Sequence, residues 1–322
     1  MFITMRTALR QSLQSRLSVH IPHCAAGTRD LSTVNSISSS LDELRVEDFR
    51  RQAFLPEQPL LITASNGPIA ISAASSSIPA IAKWFTLART GKPSLNCVYL
   101  EKFKDIVLPY ELVSDLKQES TKAVPNEVVQ SPTFDKATFQ RFNAPLQLFL
   151  TSAQLSPPPQ LYIAQAKLVD LPQQLRDDLP TPSIILEAGK GDIYDSNIWM
   201  GIPPTYTPLH KDPNPNLFVQ LASDKVVRIF EPHIGISIFQ EVQAKIGSQT
   251  SASFRGDEMM QGPEKVALED VVWNCPDSTA GYEVMVRPGD ALFIPKGWWH
   301  SIRSHGNDIT ASVSITAVLR EH

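Results

Sequence analysis

From Ile193 to Val318 the chain is written in short apolar segments punctuated by Gly, Pro and Asp: Ile193 to Ile202, Leu217 to Leu221, Val226 to Phe230, Glu283 to Arg287, Ala291 to Ile294 and Ile309 to Val318. Parallel strands need long crossover connections, commonly helices, whereas turn residues between short strands suit antiparallel pairing. The pattern therefore predicts an antiparallel sandwich or barrel rather than a parallel α/β sheet. The expected fold class is mainly β with flanking helices, on a double-stranded β-helix (jelly roll) core. Residues 231–280 break the rhythm and read as an insertion, with a helix at Ile236 to Ile246 and a Ser/Gly-rich stretch at 247–263.

Upstream of Leu161 the pattern is mixed. Leu41 to Arg51 predicts a short amphipathic helix, Pro59 to Thr63 a buried strand, Ile78 to Leu87 a helix, and Asn96 to Leu100 a strand. Residues 105–135 read as a polar surface excursion. The aromatic spacing of Phe134, Phe139, Phe142 and Phe149 predicts a helix over 134–153, stopped at Pro157. Leu161 to Ala166 restarts as a strand. The domain expectation is an N-terminal α/β portion at 41–160 packing on a core at 161–322.

The first 40 residues stand apart: Arg6, Arg10, Arg16 and Arg29 lie among Ser, Leu and Ala, with no acid before Asp30. That composition predicts a mitochondrial presequence, and hence a matrix location, with a disordered arm as the bland alternative. A hydrophobic content of 42% in 322 residues supports a sizeable core. A net charge of −4 gives no pull toward nucleic acid. Cys24, Cys97 and Cys275 have no CxxC spacing and read as free thiols. No apolar run approaches the roughly 20 residues of a membrane helix, so no membrane insertion is expected.

The chemistry concentrates in three places. In Thr207-Pro208-Leu209-His210-Lys211-Asp212, His210 and Asp212 stand at i and i+2 and would share one face of a strand. One imidazole and one carboxylate, completed by a second imidazole, make a facial triad for a divalent metal such as Fe(II). Among seven histidines and 33 acids a His-x-acid pair alone decides nothing. The second place is Arg287 to His300, where a Pro288-Gly289-Asp290 turn launches an apolar strand, Pro295 ends it, and Trp298-Trp299 delivers His300. The third is Lys225, returned toward His210 by a hairpin through Ala222-Ser223-Asp224. A lysine buried there calls for an anionic ligand.

With these motifs, and with Leu161-Tyr162-Ile163 and Asn216-Leu217-Phe218-Val219-Gln220, the chain resembles the JmjC oxygenases of the cupin-like superfamily. It is most similar to the small hydroxylase branch typified by the asparaginyl hydroxylase acting on hypoxia-inducible factor. The resemblance covers Leu161 to Val318. It implies His210, Asp212 and His300 as iron ligands, with Lys225, Thr207 and Tyr162 on the distal carboxylate of 2-oxoglutarate and Asn216 near its keto-acid end. Ser314 stands where that branch commonly has asparagine. The implied activity uses Fe(II), 2-oxoglutarate and O2, and couples decarboxylation to succinate with hydroxylation of a substrate C–H. Lysine demethylation is the alternative within the class. Outside it are a cupin-like metal-binding protein without 2-oxoglutarate chemistry, and a metal-dependent isomerase or dioxygenase with more histidine ligands. The substrate class stays open among a protein side chain, an RNA base and a small molecule, with selectivity expected in 231–280 and before Leu161. No oligomeric state is inferred.

Overall fold

The computed structural model describes residues 31–64, 77–88, 91–115, 137–189, 192–247, 260–274 and 280–318. The predicted presequence up to Asp30, Cys24, Cys275 and most of the polar stretch at 247–263 lie outside them.

The jelly-roll expectation holds: two sheets face each other, with helices on the outside. The strands are β1 Asn35–Ser38, β2 Leu60–Thr63, β3 Phe85–Leu87, β4 Pro93–Leu95, β5 Val107–Asp115, β6 Ala137–Pro145, β7 Gln160–Lys167, β8 Asp192–Gly201, β9 Tyr206–Lys211, β10 Asn216–Ala222, β11 Asp224–Phe230, β12 Tyr282–Val286, β13 Ala291–Ile294, β14 Trp299–His305 and β15 Thr310–Val318. A nine-stranded sheet runs β1-β2-β13-β10-β15-β8-β7-β5-β6, and a four-stranded sheet runs β12-β11-β14-β9. Only β1 and β2 pair in parallel in these two sheets. Every core strand predicted from Leu161 onward is present. Strands from the N-terminal portion extend the same large sheet at both edges, β1 and β2 through β13 and β5 and β6 through β7.

Four upstream expectations need correction. Asn96 to Leu100 is not a strand: the Asn96 side chain accepts a hydrogen bond from Tyr99 N–H and caps a short helix, Cys97–Leu100, and the strand is the preceding Pro93–Leu95. The helix expected through Leu87 is Ala80–Trp84, after which Phe85 turns extended and pairs with Leu95. Val107–Asp115, within the supposed excursion, is a strand paired on both sides. Across that pairing Tyr110 and Phe142 stack at 5.6 Å, so the aromatic spacing at 139–145 serves a strand, and the helix is confined to Leu146–Ser152.

Alternation builds the layers. Leu217, Val219, Val313, Ile315 and Phe293 point outward from the large sheet into a core shared with the helices, where Phe49 meets Phe293 edge to face at 5.0 Å. Each fully buried side chain of this size contributes about 1.5–3 kcal/mol. Between the sheets, Phe218, Val227, Ile229, Val286, Leu292 and Trp298 fill one end of the barrel. The insertion forms the helices Pro232–Ile246 and Gly262–Glu269 and a wider turn, Asp270–Asn274. They pack Phe239, Val242, Leu268 and Val272 on Leu209, Phe230 and Trp299, the outer face of the small sheet. Among the described residues no helix is long and apolar enough to cross a membrane.

Candidate metal centre

The small sheet brings the two histidines together by register. His300 of β14 pairs directly with His210 of β9, and their rings lie 4.2 Å apart between centroids. Asp212, just past the end of β9, reaches both, 3.9 Å from His210 Nε2 through Oδ1 and 3.7 Å from His300 Nε2 through Oδ2. One ligand atom from each of the three residues falls within 4.8 Å of the others. His210 Nδ1 lies 2.9 Å from Pro208 O, and His300 Nδ1 lies 3.4 Å from Trp298 O. Donation from each Nδ1–H to a backbone carbonyl two residues back fixes the tautomer that leaves the Nε2 lone pair for a metal. Asn216 Nδ2 donates to Asp212 Oδ2 at 3.1 Å and orients the carboxylate. Two imidazole nitrogens and one carboxylate gathered on one side fit a divalent metal of the facial-triad type, with the opposite face turned to a cavity.

That cavity, about 360 Å³, is lined by all seven residues singled out in the sequence: Tyr162, Thr207, His210, Asp212, Asn216, Lys225 and His300. Its floor is the inner face of the large sheet, laid down in rows by strand register. Asp195 pairs with Thr316 and Thr316 with Asn216; Asn197 pairs with Ser314 and Ser314 with Phe218; Trp199 pairs with Ser312. Along β15 burial deepens from half-buried Thr316 and Ser314 to fully buried Ser312, which places the mouth toward Thr316 and its neighbour Asp195. At the deep end Lys225, only 2% exposed, donates from Nζ to Ser312 Oγ at 2.9 Å. The same ammonium lies 5.4 Å from the Phe218 ring and 5.9 Å from the Tyr162 ring. Tyr162 can occupy this position because Gly201 has no side chain: a Cβ there would stand 2.2 Å from the Tyr162 ring.

The sequence left several cavity residues unremarked. Ser312 and Thr316 were announced only by the polar alternation of Ser312, Ser314 and Thr316 along β15, a period-two signal inside an apolar strand. Asn197 had no local signal. Its buried Oδ1, like that of Asn216, has no hydrogen-bond partner among the described residues. Gln165 reaches the cavity mouth from an irregular stretch of β7, with a left-handed φ of 58°. Trp298 and Trp299 are packing residues, as expected, whereas Trp199 lines the cavity.

Residues 58–316 match the model of the cupin-like domain family. The chain belongs to that family. The cupin-like domain accounts for the jelly roll and for a centre built where the two sheets face each other. Among curated proteins, it is 27% identical to lysine-specific demethylase JMJ30 of Arabidopsis thaliana, over 85% of this chain and 52% of that protein. It is 30% identical to lysine-specific demethylase 8 of Danio rerio over 44% of this chain and 33% of that protein. JmjC domain-containing protein D of Dictyostelium discoideum is 28% identical over 44% and 32% of the two chains. The cupin-like chain thus spans about half the length, or less, of these relatives.

Proposed function

We propose that this protein is an Fe(II)- and 2-oxoglutarate-dependent oxygenase that hydroxylates a protein side chain or another macromolecular group. The observation that carries this is the convergence of His210, Asp212, His300 and buried Lys225 on one cavity. His210, Asp212 and His300 would hold the metal, and the metal with 2-oxoglutarate supplies the oxidising chemistry when bound. Lys225 offers a cationic anchor for a carboxylate at the deep end, where low dielectric strengthens the attraction. Tyr162 and Thr207, lining the same cavity, are assigned to that carboxylate, and Asn216 keeps Asp212 in orientation. The exposed side of the cavity, at Asp195 and Gln165, is where the substrate would enter.

A second mode for the same site, removal of a methyl group from lysine, is favoured by the names of the relatives JMJ30 and lysine-specific demethylase 8. Both modes begin with oxidation of a C–H bond; they differ in whether oxygen stays on the product or a methyl leaves as formaldehyde. The deciding test is anaerobic titration with Fe(II) and then 2-oxoglutarate, followed in the visible for the charge-transfer band of bidentate chelation. Its appearance, lost in Asp212→Ala, is the expected result; iron binding without the band sinks the 2-oxoglutarate assignment in favour of a metal-binding cupin. Succinate release with peptide pools, with mass analysis for retained oxygen and an assay for formaldehyde, then separates the two modes.

A further inference from the structure

Among the described residues, none that lines the cavity comes from the insertion between β11 and β12. Its described helices pack on the opposite face of the small sheet. They lie on the two strands that carry the histidines.

In the pairing of β9 with β14, His300 to Ile302 spans two steps while His210 to Thr207 spans three. Strand β9 therefore bulges at Pro208 and Leu209. Proline brings no N–H to a ladder and is tolerated in sheets at bulges. The bulge leaves the Pro208 carbonyl available to His210 Nδ1. Beside the bulge, Ser301 Oγ donates to Thr207 O at 2.7 Å and so adds a side-chain bond between the two strands. Ser301 follows His300 directly and is completely buried. Its hydroxyl in turn accepts from Trp273 Nε1 at 2.9 Å, at the end of the insertion.

Trp273 is itself fixed. Its ring lies between the Arg228 and Arg303 guanidinium groups, at 4.6 and 4.5 Å, and these are held by Glu283 and Glu269. Arg228 also donates to the carbonyl of Val272. On the other side of His300, the Trp299 ring packs against the insertion's first helix so closely that a Cβ on Gly235 would stand 2.1 Å from Trp299 Cγ. The residues before and after His300 are thus both gripped from outside the barrel.

Resting on the metal-site assignment proposed above, we infer that the insertion is a brace for the metal centre, in which Trp273 and Ser301 are positioning residues that fix the bulged pairing of β9 and β14 and so the spacing of His210 and His300. The chain Trp273 N–H to Ser301 O–H to Thr207 carbonyl ties β14 to β9 beside the bulge, where Pro208 has no N–H to add to the ladder. Removing it takes away a part-buried cross-strand hydrogen bond at the point where the two metal-bearing strands must keep register.

The test uses the full chain with Ser301→Ala, Trp273→Phe, the double variant, and Val266→Ser on an exposed part of the same insertion as control. Co(II), in place of iron, is titrated anaerobically by its visible absorption, and amide exchange of the metal-free proteins is followed over 206–211 and 299–303. Groups behind metal ligands commonly change affinity by about 10–100-fold, so Ser301→Ala should weaken Co(II) about tenfold and Trp273→Phe roughly threefold. Because both act through one hydrogen-bonded chain, the double variant should lose no more than Ser301→Ala alone. Exchange in β9 and β14 should quicken in all three but not in the control. Additive losses, or Co(II) affinity and exchange matching the control, would overturn the brace. Should the wild type bind no Co(II) while exchange follows the predicted pattern, the metal assignment fails and the strand-fixing chain stands; Co(II) bound with exchange unmoved fails the brace alone. If Ser301→Ala does not fold, Trp273→Phe carries the same comparison.

Discussion

Lys225 sits with its ammonium against the Ser312 hydroxyl and beside two aromatic rings, at the end of the cavity farthest from solvent. Charge-assisted hydrogen bonds contribute about 1.5–3 kcal/mol, so Lys225→Ala should raise the 2-oxoglutarate concentration needed for half-maximal succinate release by about 10–100-fold. Metal binding should be unaffected; an unchanged cosubstrate requirement would remove Lys225 from the carboxylate site. His210, Asp212, His300 and Lys225 were legible because their placement follows from local rules: alternation along a strand, a Pro-Gly-Asp turn, a tight hairpin. Ser312, Asn197 and Ser301 were not, because each is drawn to the site by register with a strand distant in sequence. Asn216 lines the cavity, and its contact with Asp212 could not be read from spacing.

Short elements owe their positions to single polar anchors. Asp178, fully buried, accepts hydrogen bonds from Lys83 at 2.6 Å, Trp84 Nε1 at 2.8 Å and the Tyr99 hydroxyl at 2.5 Å, tying the helices Ala80–Trp84 and Cys97–Leu100 together. Burial and the neighbouring carboxylate hold the Tyr99 phenol above its ordinary range. Asp178→Ala strands the buried Trp84 Nε1–H and the half-buried Tyr99 hydroxyl, and urea denaturation should show a loss of about 3 kcal/mol. A loss below about 1 kcal/mol would show that water replaces the carboxylate without penalty. Asp290, at the turn before β13, accepts from the backbone N–H groups of Ala64 and Arg287 at 3.1 and 3.0 Å. Burial outweighs these bonds and raises its pKa above the ordinary carboxylate value. Folded Asp290 thus binds its proton more tightly than unfolded Asp290. Its stabilising contribution is full below the unfolded pKa, near 3.9, and is lost as pH rises through the folded value. The unfolding free energy of wild type relative to Asp290→Asn should therefore improve as the solution is acidified; a difference independent of pH would refute the shift. Two of the elements misread in the sequence, the 97–100 helix and the 107–115 strand, have their state set by a cap or by partners on both sides rather than by their own periodicity.

The large sheet joins distant parts of the chain, and its folded edge begins earlier than residue 41, at Asn35–Ser38. A mitochondrial address, which we propose for the Arg- and Ser-rich segment up to about residue 40, would share its last few residues with that strand. Residues 1–30 fused to a fluorescent reporter should localise to mitochondria, and a diffuse cytosolic signal would reject the address. The jelly roll as a class was legible because short strands and turns recur from Ile193 onward; the nine-stranded breadth of its main sheet was not, since sheet order is a property of pairing at long range.

Strand β15 lies between β10 and β8 in the middle of that sheet, yet of all the described strands it is made last. During synthesis, or during passage through a membrane pore with the N terminus leading, the earlier strands emerge with an empty slot where the central one belongs. Until Ser312 and Ser314 fill it, the cavity has no floor and Lys225 lacks its hydroxyl partner. Pairings of such long sequence separation close slowly. On the function proposed above, the growing chain would have no finished pocket for iron or cosubstrate, so uptake of either would follow completion of β15.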